Sequence, residues 1–226
     1  MKDRLKRIIP GFAVVPLITI LVFNMFVYYG SRLFTLHRKH HDLEIPLDQK
    51  IPFVPAAIIP YVMAYAQWAL GYIVIARDSK ETCDEVLSAE LVAKAITFAI
   101  FMAFPTTMTR PKVKGNSLVE RLIKAIYVVD MPRQLFPSLH CLESYLVVRG
   151  ISRMKKKPPK AYTAAMEALT GAIVASTVLV KQHTVVDIVG GIALAELGLR
   201  CSRKWNTGRI FDRIRRVCSK KTARRG

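Results

Sequence analysis

The chain alternates long apolar stretches with short polar ones, and two of the apolar stretches contain no charged residue. These two stretches are residues 8–30 and 51–76. Each is longer than the roughly 20 apolar residues that an α-helix needs to cross the hydrocarbon core of a bilayer. The sequence therefore predicts that both are membrane-spanning helices.

The first stretch also follows a basic segment, residues 1–7, as the core of a secretory signal peptide does. A signal core holds only about 7 to 15 apolar residues and ends at a cleavage site with small side chains. Here the apolar run is longer, and the bulky Phe26, Tyr28 and Tyr29 lie near its end. We therefore interpret the segment as a retained membrane anchor.

Four further apolar segments each contain at least one ionisable residue. A charge at membrane depth costs several kcal/mol, so such residues normally face the interior of a helix bundle. The pattern predicts an all-α, polytopic membrane protein in which residues 1–226 form a single membrane-embedded domain, a bundle of six transmembrane helices, with a basic tail at 200–226. The predicted spans are 8–30, 51–76, 91–109, about 135–148, 161–180 and 183–199.

The distribution of lysine and arginine predicts the orientation of this bundle. One set of loops, with both termini, carries 23 of these residues and the opposite set carries 11. Positively charged loops favour the cytoplasmic side, so we expect both termini in the cytoplasm. The short loops of this compact chain favour a bacterial cell membrane, with the loops after spans 1, 3 and 5 facing outward.

The composition limits the partners that this chain can be expected to have. Its net charge is +19 although 52% of its residues are hydrophobic. The basic residues cluster at the ends of apolar segments, where membrane topology explains them, so we expect no nucleic-acid partner. The four cysteines have no C-x-x-C spacing, and His37, His40 and His41 lack a clear ligand set. We therefore expect no disulfide framework and no metal site.

A short amphipathic helix is predicted between the third and fourth spans. Ser117 and Glu120 have the spacing of a capping box, and the apolar residues that follow recur at helical intervals. This helix could lie in the membrane interface, as a lipid-facing lip of the site, or it could be a plain solvated connector. The sequence leaves both interpretations open.

Three short segments with unusual residues fall on the predicted outward face: TRP at 109–111, PSLH at 137–140 and KQHTVVD at 181–187. His183 and Asp187 are four residues apart, which would place them on one face of a helix. The carboxylate could then fix the imidazole tautomer and leave the other ring nitrogen free to attack. Alternatively, the two side chains could merely neutralise each other between helices. Gly191 and Ala195 continue the same face and would let a neighbouring helix approach.

The other two segments supply groups that suit a phosphate. A helix that starts at Pro137 and Ser138 would aim free backbone N–H groups at an anion, and His140 could donate a proton to a leaving oxygen. Arg110 brings a planar fork for phosphate oxygens, and Lys181 brings a compact positive charge. Arg110 could instead be an interfacial arginine whose charged end reaches out to water.

In order and spacing, TRP, PSLH and STVLVKQHTVVD (176–187) resemble the three phosphatase motifs of the type 2 phosphatidic acid phosphatase superfamily, near its inositol phosphorylceramide synthase and sphingomyelin synthase relatives. The resemblance covers most of the chain and implies catalysis without a metal or other cofactor. It implies that His183 is the nucleophile, Asp187 its orienting partner and His140 the general acid. The residues that would hold the phosphate are Arg110, Ser138 and Lys181.

The chain departs from the family pattern at three positions. Ala103 stands where the first motif begins with a lysine, Leu139 replaces the usual glycine, and Thr177 replaces an arginine. We expect Lys181 to supply the charge that is missing at Thr177. The role of Glu143 stays open between tuning His140, positioning a substrate hydroxyl and pairing with a cation.

These observations favour metal-independent hydrolysis of a membrane lipid phosphate or diphosphate through a phosphohistidine on the extracytoplasmic face. One alternative is a lipid head-group phosphotransferase of the inositol phosphorylceramide synthase type. A less favoured alternative is a catalytically silent lipid-binding bundle. The expected partners are the bilayer and a lipid phosphate substrate, and the sequence leaves the identity of that lipid and the oligomeric state open.

Overall fold

The computed structural model describes residues 8–223, with side chains as far as residue 218. The basic residues 1–7, on which part of the topology prediction rests, lie outside this range. A two-stranded parallel sheet pairs β1 (His41–Asp42) with β2 (Thr106–Thr107). The helices of the described part are α1 Gly11–Thr35, α2 Pro46–Lys50, α3 Pro55–Ala76, α4 Lys80–Ala103, α5 Leu118–Val129, α6 Leu139–Arg153, α7 Lys160–Leu179, α8 Val185–Trp205 and α9 Arg209–Ala223.

Within residues 8–223, four helices are long and apolar enough to cross a membrane, namely α1, α3, α4 and α7. The prediction of an all-α fold with membrane helices is therefore confirmed. The count of six spans is not, because α6 has 15 residues and α8 carries several charged side chains over its 21 residues. The six-span topology and the cytoplasmic position of both termini stay predictions.

Helix α6 occupies the centre of the bundle and packs against α3, α4, α7 and α8. Leu142, Leu146 and Val147 are fully buried there. A helix that is surrounded by other helices needs no lipid-facing apolar surface, which accounts for its modest hydropathy. Gly191 lets α8 approach closely, since a Cβ at this position would lie 2.5 Å from the Ser138 carbonyl oxygen at the start of α6. The predicted close approach at Gly191 is thus confirmed.

Helix α4 begins earlier than the sequence predicts, at Lys80 rather than at residue 91. The Ser79 hydroxyl caps it by accepting the Thr82 N–H at 3.1 Å. Residues 77–90, which lie between two of the predicted spans, were wrongly left outside the helix, because polar residues of this stretch such as Asp84 and Ser88 face other helices instead of water. Asp84 bonds to Arg215 of α9, and the Ser88 hydroxyl lies 2.8 Å from that of Ser202 in α8.

Residues 31–50, which lie between the first two predicted spans, are partly structured. Ser31–Thr35 continues α1 beyond a π-helical turn at Phe26–Gly30, and α2 follows the first strand. Asp48 in α2 is buried, with 6% of its surface exposed. This short segment packs against the α7–α8 turn, so the segment is a structural part of the end of the bundle that carries this turn.

Helix α5 has the predicted capping box, in which Ser117 N–H donates to Glu120 Oε2 at 2.9 Å and the Ser117 hydroxyl accepts the Glu120 N–H at 3.4 Å. Ile123 is fully buried against α3, whereas Leu118 and Val128 are exposed. The helix is therefore amphipathic as predicted, and it retains an exposed apolar side. Its position in the membrane interface stays a prediction.

A buried ionic cluster joins α4 to α6. Lys94 Nζ lies 3.0 Å from Glu143 Oε1 and also contacts the Glu90 carboxylate one turn away. All three side chains have at most 5% of their surface exposed. Of the three roles left open for Glu143, the structure shows the pairing with a cation.

Candidate functional site

His183 lies in the turn just before α8, and Asp187 is in the first turn of that helix. Thr184 is the N-cap, and it forms a capping box with Asp187. The Asp187 Oδ2 atom accepts the Thr184 N–H at 2.8 Å and lies 3.2 Å from His183 Nδ1. The predicted pair is present, but the prediction that both residues share a helical face was wrong. Capping geometry, rather than helical periodicity, brings the imidazole to the carboxylate.

The turn that carries His183 is anchored on both sides. The N–H groups of Gln182 and His183 both donate to the Thr177 carbonyl at the end of α7, at 2.9 and 3.0 Å. On the other side, the Asp48 Oδ1 atom accepts the Val185 N–H at 2.8 Å. These contacts satisfy backbone groups that a helix end leaves free, and they fix the position of His183.

Ser138 is the N-cap of α6 and is fully buried. Its hydroxyl oxygen accepts the Cys141 N–H at 3.3 Å, and its own N–H donates to the Asp187 carbonyl at 3.0 Å. The start of α6 is thereby tied to the first turn of α8. The hydroxyl hydrogen of Ser138 is still available for donation to a ligand.

His140 lies in the first turn of α6 and faces His183, with 6.1 Å between the ring centroids. Tyr61 of α3 stacks on its ring at 4.2 Å, and the edges of Tyr65 and Trp68 complete the surroundings. The buried Nε2 atom of His140 has no hydrogen-bond partner among the described residues. It can therefore exchange a proton with a ligand.

Arg110 follows the second strand and reaches the turn that carries His183. Its guanidinium donates to the Asp130 carbonyl at 2.5 Å and to the side-chain oxygen of Gln182, and it lies over the Tyr127 ring at 4.7 Å. Burial lowers the pKa of Arg110 below its ordinary value, although the nearby Asp130 carboxylate opposes the shift. An arginine keeps its charge even so, and this one is held beside His183.

Lys181 has an ammonium group that is partly engaged by the backbone. It donates to the carbonyls of Asp48 and Ile51 at 2.9 and 2.7 Å. Its backbone is in the left-handed region, with φ at 53°. Two of the three ammonium hydrogens are occupied, which leaves one for a phosphate oxygen. The structure therefore gives Lys181 a structural contact that the sequence did not predict.

Three cavities surround the two histidines. A cavity of about 310 Å³ is lined by Arg110, Lys181 and His183 together with Asp48. A void of about 30 Å³ lies between His140 and His183, and a third cavity of about 130 Å³ opens from His140 between α1, α3 and α5. A larger polar cavity of about 440 Å³ lies at the opposite end of the bundle, away from these residues.

The order of these groups along the chain matches a known family. A model described as the PAP2 superfamily matches residues 37–200, which is most of the chain and includes every predicted site residue. The chain belongs to the PAP2 superfamily. The predicted family is thus confirmed, whereas the predicted closeness to inositol phosphorylceramide synthase relatives is not tested by this match. No curated protein and no solved structure shows a significant match to the chain.

Members of the PAP2 superfamily are phosphatases and phosphotransferases, so this PAP2 protein is expected to catalyse phosphoryl transfer. Within residues 8–223 there is no group of three or more histidine, cysteine, aspartate or glutamate side chains that could hold a metal ion. The cavities are lined by the carboxylates of Asp48 and Asp130 and also by cations and imidazoles near two helix N-termini. The cations and the helix N-termini are suited to binding an anion.

Sequence reasoning missed several residues that organise this PAP2 site. Tyr61, Tyr65 and Trp68 recur at helical spacing within the second predicted span, and this aromatic stripe was a signal that could have been used. Asp48 gives no comparable signal in the sequence. Asp130, just before PSLH, is a candidate from the sequence for shaping the entrance of the site, but its position favours a turn or surface role. Their contacts depend on chain segments that are distant in sequence.

Proposed function

We propose that this PAP2 protein hydrolyses a membrane lipid phosphate or diphosphate through a phosphohistidine intermediate, without a metal. The observation that supports this most is the arrangement of His183, paired with Asp187, opposite His140. Nucleophile and leaving oxygen lie on opposite sides of phosphorus in an in-line transfer. Two imidazoles that face each other across a small void suit such a transfer.

In the first step, His183 acts as the nucleophile. Its Nδ1–H donates to Asp187, so the lone pair of Nε2 attacks phosphorus and a P–N bond forms. The P–O bond to the lipid breaks, and protonated His140 donates its proton to the departing oxygen. The products of this step are a phosphohistidine and either a lipid alcohol, from a monophosphate, or a lipid monophosphate, from a diphosphate.

In the second step, neutral His140 removes a proton from water, and the hydroxide attacks the phosphohistidine. The P–N bond breaks, which releases phosphate and restores both histidines. Arg110, Lys181 and the Ser138 hydroxyl hold the phosphate oxygens in both steps. The free N–H groups at the start of α6 add to this stabilisation, because they are already oriented before the charge develops.

The arrangement in the membrane is part of the proposal. Six spans with both termini in the cytoplasm place the site on the extracytoplasmic face, outward from a bacterial cell membrane. The buried position of α6 and the interior-facing acids of α8 support counting these two helices as spans. Reporter fusions to the C-terminus should report a cytoplasmic position, and an extracytoplasmic signal would overturn this topology.

The test of the reaction uses detergent-purified protein and a panel of lipid phosphates and diphosphates in the presence of EDTA. Release of inorganic phosphate is measured for the wild type, for His183→Ala and for Asp42→Asn as a matched control. Asp42 is exposed, lies in the first strand and is not among the residues that line the three cavities. We expect phosphate release in EDTA that is abolished in His183→Ala and normal in the control. Unchanged turnover in His183→Ala would overturn the proposed nucleophile, and loss of all activity in EDTA would overturn the metal-free reaction.

A second candidate is transfer of the phosphoryl group or head group to an alcohol. The observation that favours it is the 130 Å³ cavity on the His140 side, lined by Tyr28, Tyr65 and Trp68, which offers room for an organic acceptor beside the base. Inositol or another alcohol is added to the same assay. Movement of a head group to the alcohol without release of phosphate would favour the transferase. Lipid binding without either reaction would favour a silent lipid-binding bundle.

A further inference from the structure

Asp130, at the end of α5, has a carboxylate that joins three elements. Its Oδ1 atom accepts hydrogen bonds from the Tyr28 hydroxyl and from Arg32 of α1, the latter at 2.8 Å. Its Oδ2 atom accepts the Tyr61 hydroxyl of α3 at 2.9 Å. Only 17% of the side chain is exposed. Every donor comes from a residue that is distant in sequence, so the contact exists only in the folded bundle.

The surroundings of this carboxylate favour its ionised form. Burial acts to raise the pKa of Asp130, but the hydrogen bond from Tyr28 and the positive charge of Arg32 oppose it, and the pKa lies below its ordinary value. A carboxylate that already accepts three donors and carries a negative charge repels a phosphate. Asp130 is therefore unsuited to be a substrate ligand.

Tyr61 connects this carboxylate to His140. The Tyr61 ring is fully buried and stacks on the imidazole at 4.2 Å with an interplanar angle of 21°. The Tyr61 side chain keeps a single orientation as long as its hydroxyl donates to the Asp130 carboxylate. Because the ring forms one wall of the space around His140, the bond to Asp130 limits how far the imidazole can tilt.

Asp130 also touches the other side of the site through its backbone. Its carbonyl accepts the Arg110 guanidinium, and its side chain lines the void between His140 and His183. One residue thus links the phosphate-binding arginine to the wall behind His140. No other described residue makes both of these contacts.

We propose that Asp130 is a positioning residue for the general acid, and that it acts through Tyr61 to hold the His140 imidazole in the orientation that protonates the leaving oxygen. The inference rests on the proposed function, in which His140 is that acid. A residue in this role affects only the step that needs the proton. Removing it should therefore lower kcat more strongly for a substrate with a poor leaving group than for one with a good leaving group.

The test compares two substrates with Asp130→Asn and Tyr61→Phe. One substrate is a lipid alkyl phosphate, whose alkoxide is a poor leaving group, and the other is p-nitrophenyl phosphate, whose phenolate leaves without protonation. General acid catalysis typically contributes about 100- to 10,000-fold. We expect each variant to lower kcat on the alkyl phosphate about 100-fold and to change kcat on the aryl phosphate less than about 3-fold. The double variant should resemble the single ones, since both remove the same link.

A purely structural role would lower turnover of both substrates equally, and that result would overturn the inference. If Asp130→Asn does not fold, Tyr61→Phe decides alone, because it keeps the ring and removes only the hydroxyl. An equal effect of Tyr61→Phe on both substrates would again overturn the inference. Asp42→Asn serves as the control with unchanged kinetics. A wild-type protein that releases phosphate from neither substrate contradicts the proposed function instead, so the two failures are distinguishable.

Discussion

The Asp187 carboxylate lies 3.2 Å from His183 Nδ1 and accepts the Thr184 N–H with the same oxygen. One acid therefore both caps a helix and orients an imidazole. Asp187→Asn keeps an oxygen that can accept the Thr184 N–H, but it loses the charge that fixes the tautomer. We expect kcat to fall on the order of 1,000- to 10,000-fold with little change in melting temperature. Phosphate release and thermal unfolding measure the two effects.

Thr184→Ala is the matched control for this prediction. It removes the N-cap hydroxyl, which accepts the Asp187 N–H at 3.4 Å, and keeps the carboxylate. Loss of an N-cap costs about 0.5 to 2 kcal/mol of stability. We expect a lower melting temperature and a loss of activity far smaller than in Asp187→Asn. Near-normal turnover in Asp187→Asn would contradict the orienting role.

Asp48, which lines the cavity beside Lys181 and His183, is predicted to support the site by holding the start of α8. Its carboxylate accepts the N–H groups of Val185 and Ile45, at 2.8 and 2.9 Å. Asp48→Ala leaves both groups without an acceptor, so we expect a loss of about 1 to 3 kcal/mol in stability and a severalfold loss of turnover. Asp42→Ala, at an exposed position where the carboxylate accepts the Glu44 N–H, should change neither the stability nor the turnover. Equal behaviour of the two variants would argue against this support.

Lys181 is predicted to contribute to both stability and phosphate binding. A hydrogen bond to a charged group contributes about 1.5 to 3 kcal/mol. Lys181→Ala should therefore weaken the binding of inorganic phosphate and raise its inhibition constant by about 10-fold or more. It should also lower the melting temperature, because the carbonyls of Asp48 and Ile51 lose their donor. A lower melting temperature with an unchanged inhibition constant would remove Lys181 from the phosphate site.

The buried cluster around Lys94 gives a stability prediction. Lys94→Met leaves Glu90 and Glu143 buried without their cation, and breaking a buried pair in this way costs about 3 to 5 kcal/mol. For a chain of this size the melting temperature should fall on the order of 10 °C. Replacing both glutamates by leucine in the same variant should recover most of the loss, since no unpaired charge is left. A single variant as stable as the wild type would show that the cluster does not stabilise the bundle.

Much of the candidate site can be predicted from residues that are close together in the sequence. The capping boxes at Ser117 and Thr184 involve residues three positions apart, and the proximity of His183 to Asp187 follows from one of them. The long apolar runs needed only their length to be recognised as helices. The start of α4 could not be read in this way, because the polar side chains near Lys80 resemble those of a loop until the helices that face them are known.

The sequence by itself determined the family, the helical class, and the three segments that carry the imidazoles and cations. These features depend on residue types at short spacing, which the chain displays directly. Only the tertiary structure decided that the Asp48 carboxylate accepts the Val185 N–H, 137 positions away, and that Asp130 accepts Tyr28 and Tyr61. Such contacts depend on how whole helices pack. An acidic residue in a loop segment looks the same in the sequence whether the fold exposes its carboxylate to water or surrounds it with three hydrogen-bond donors.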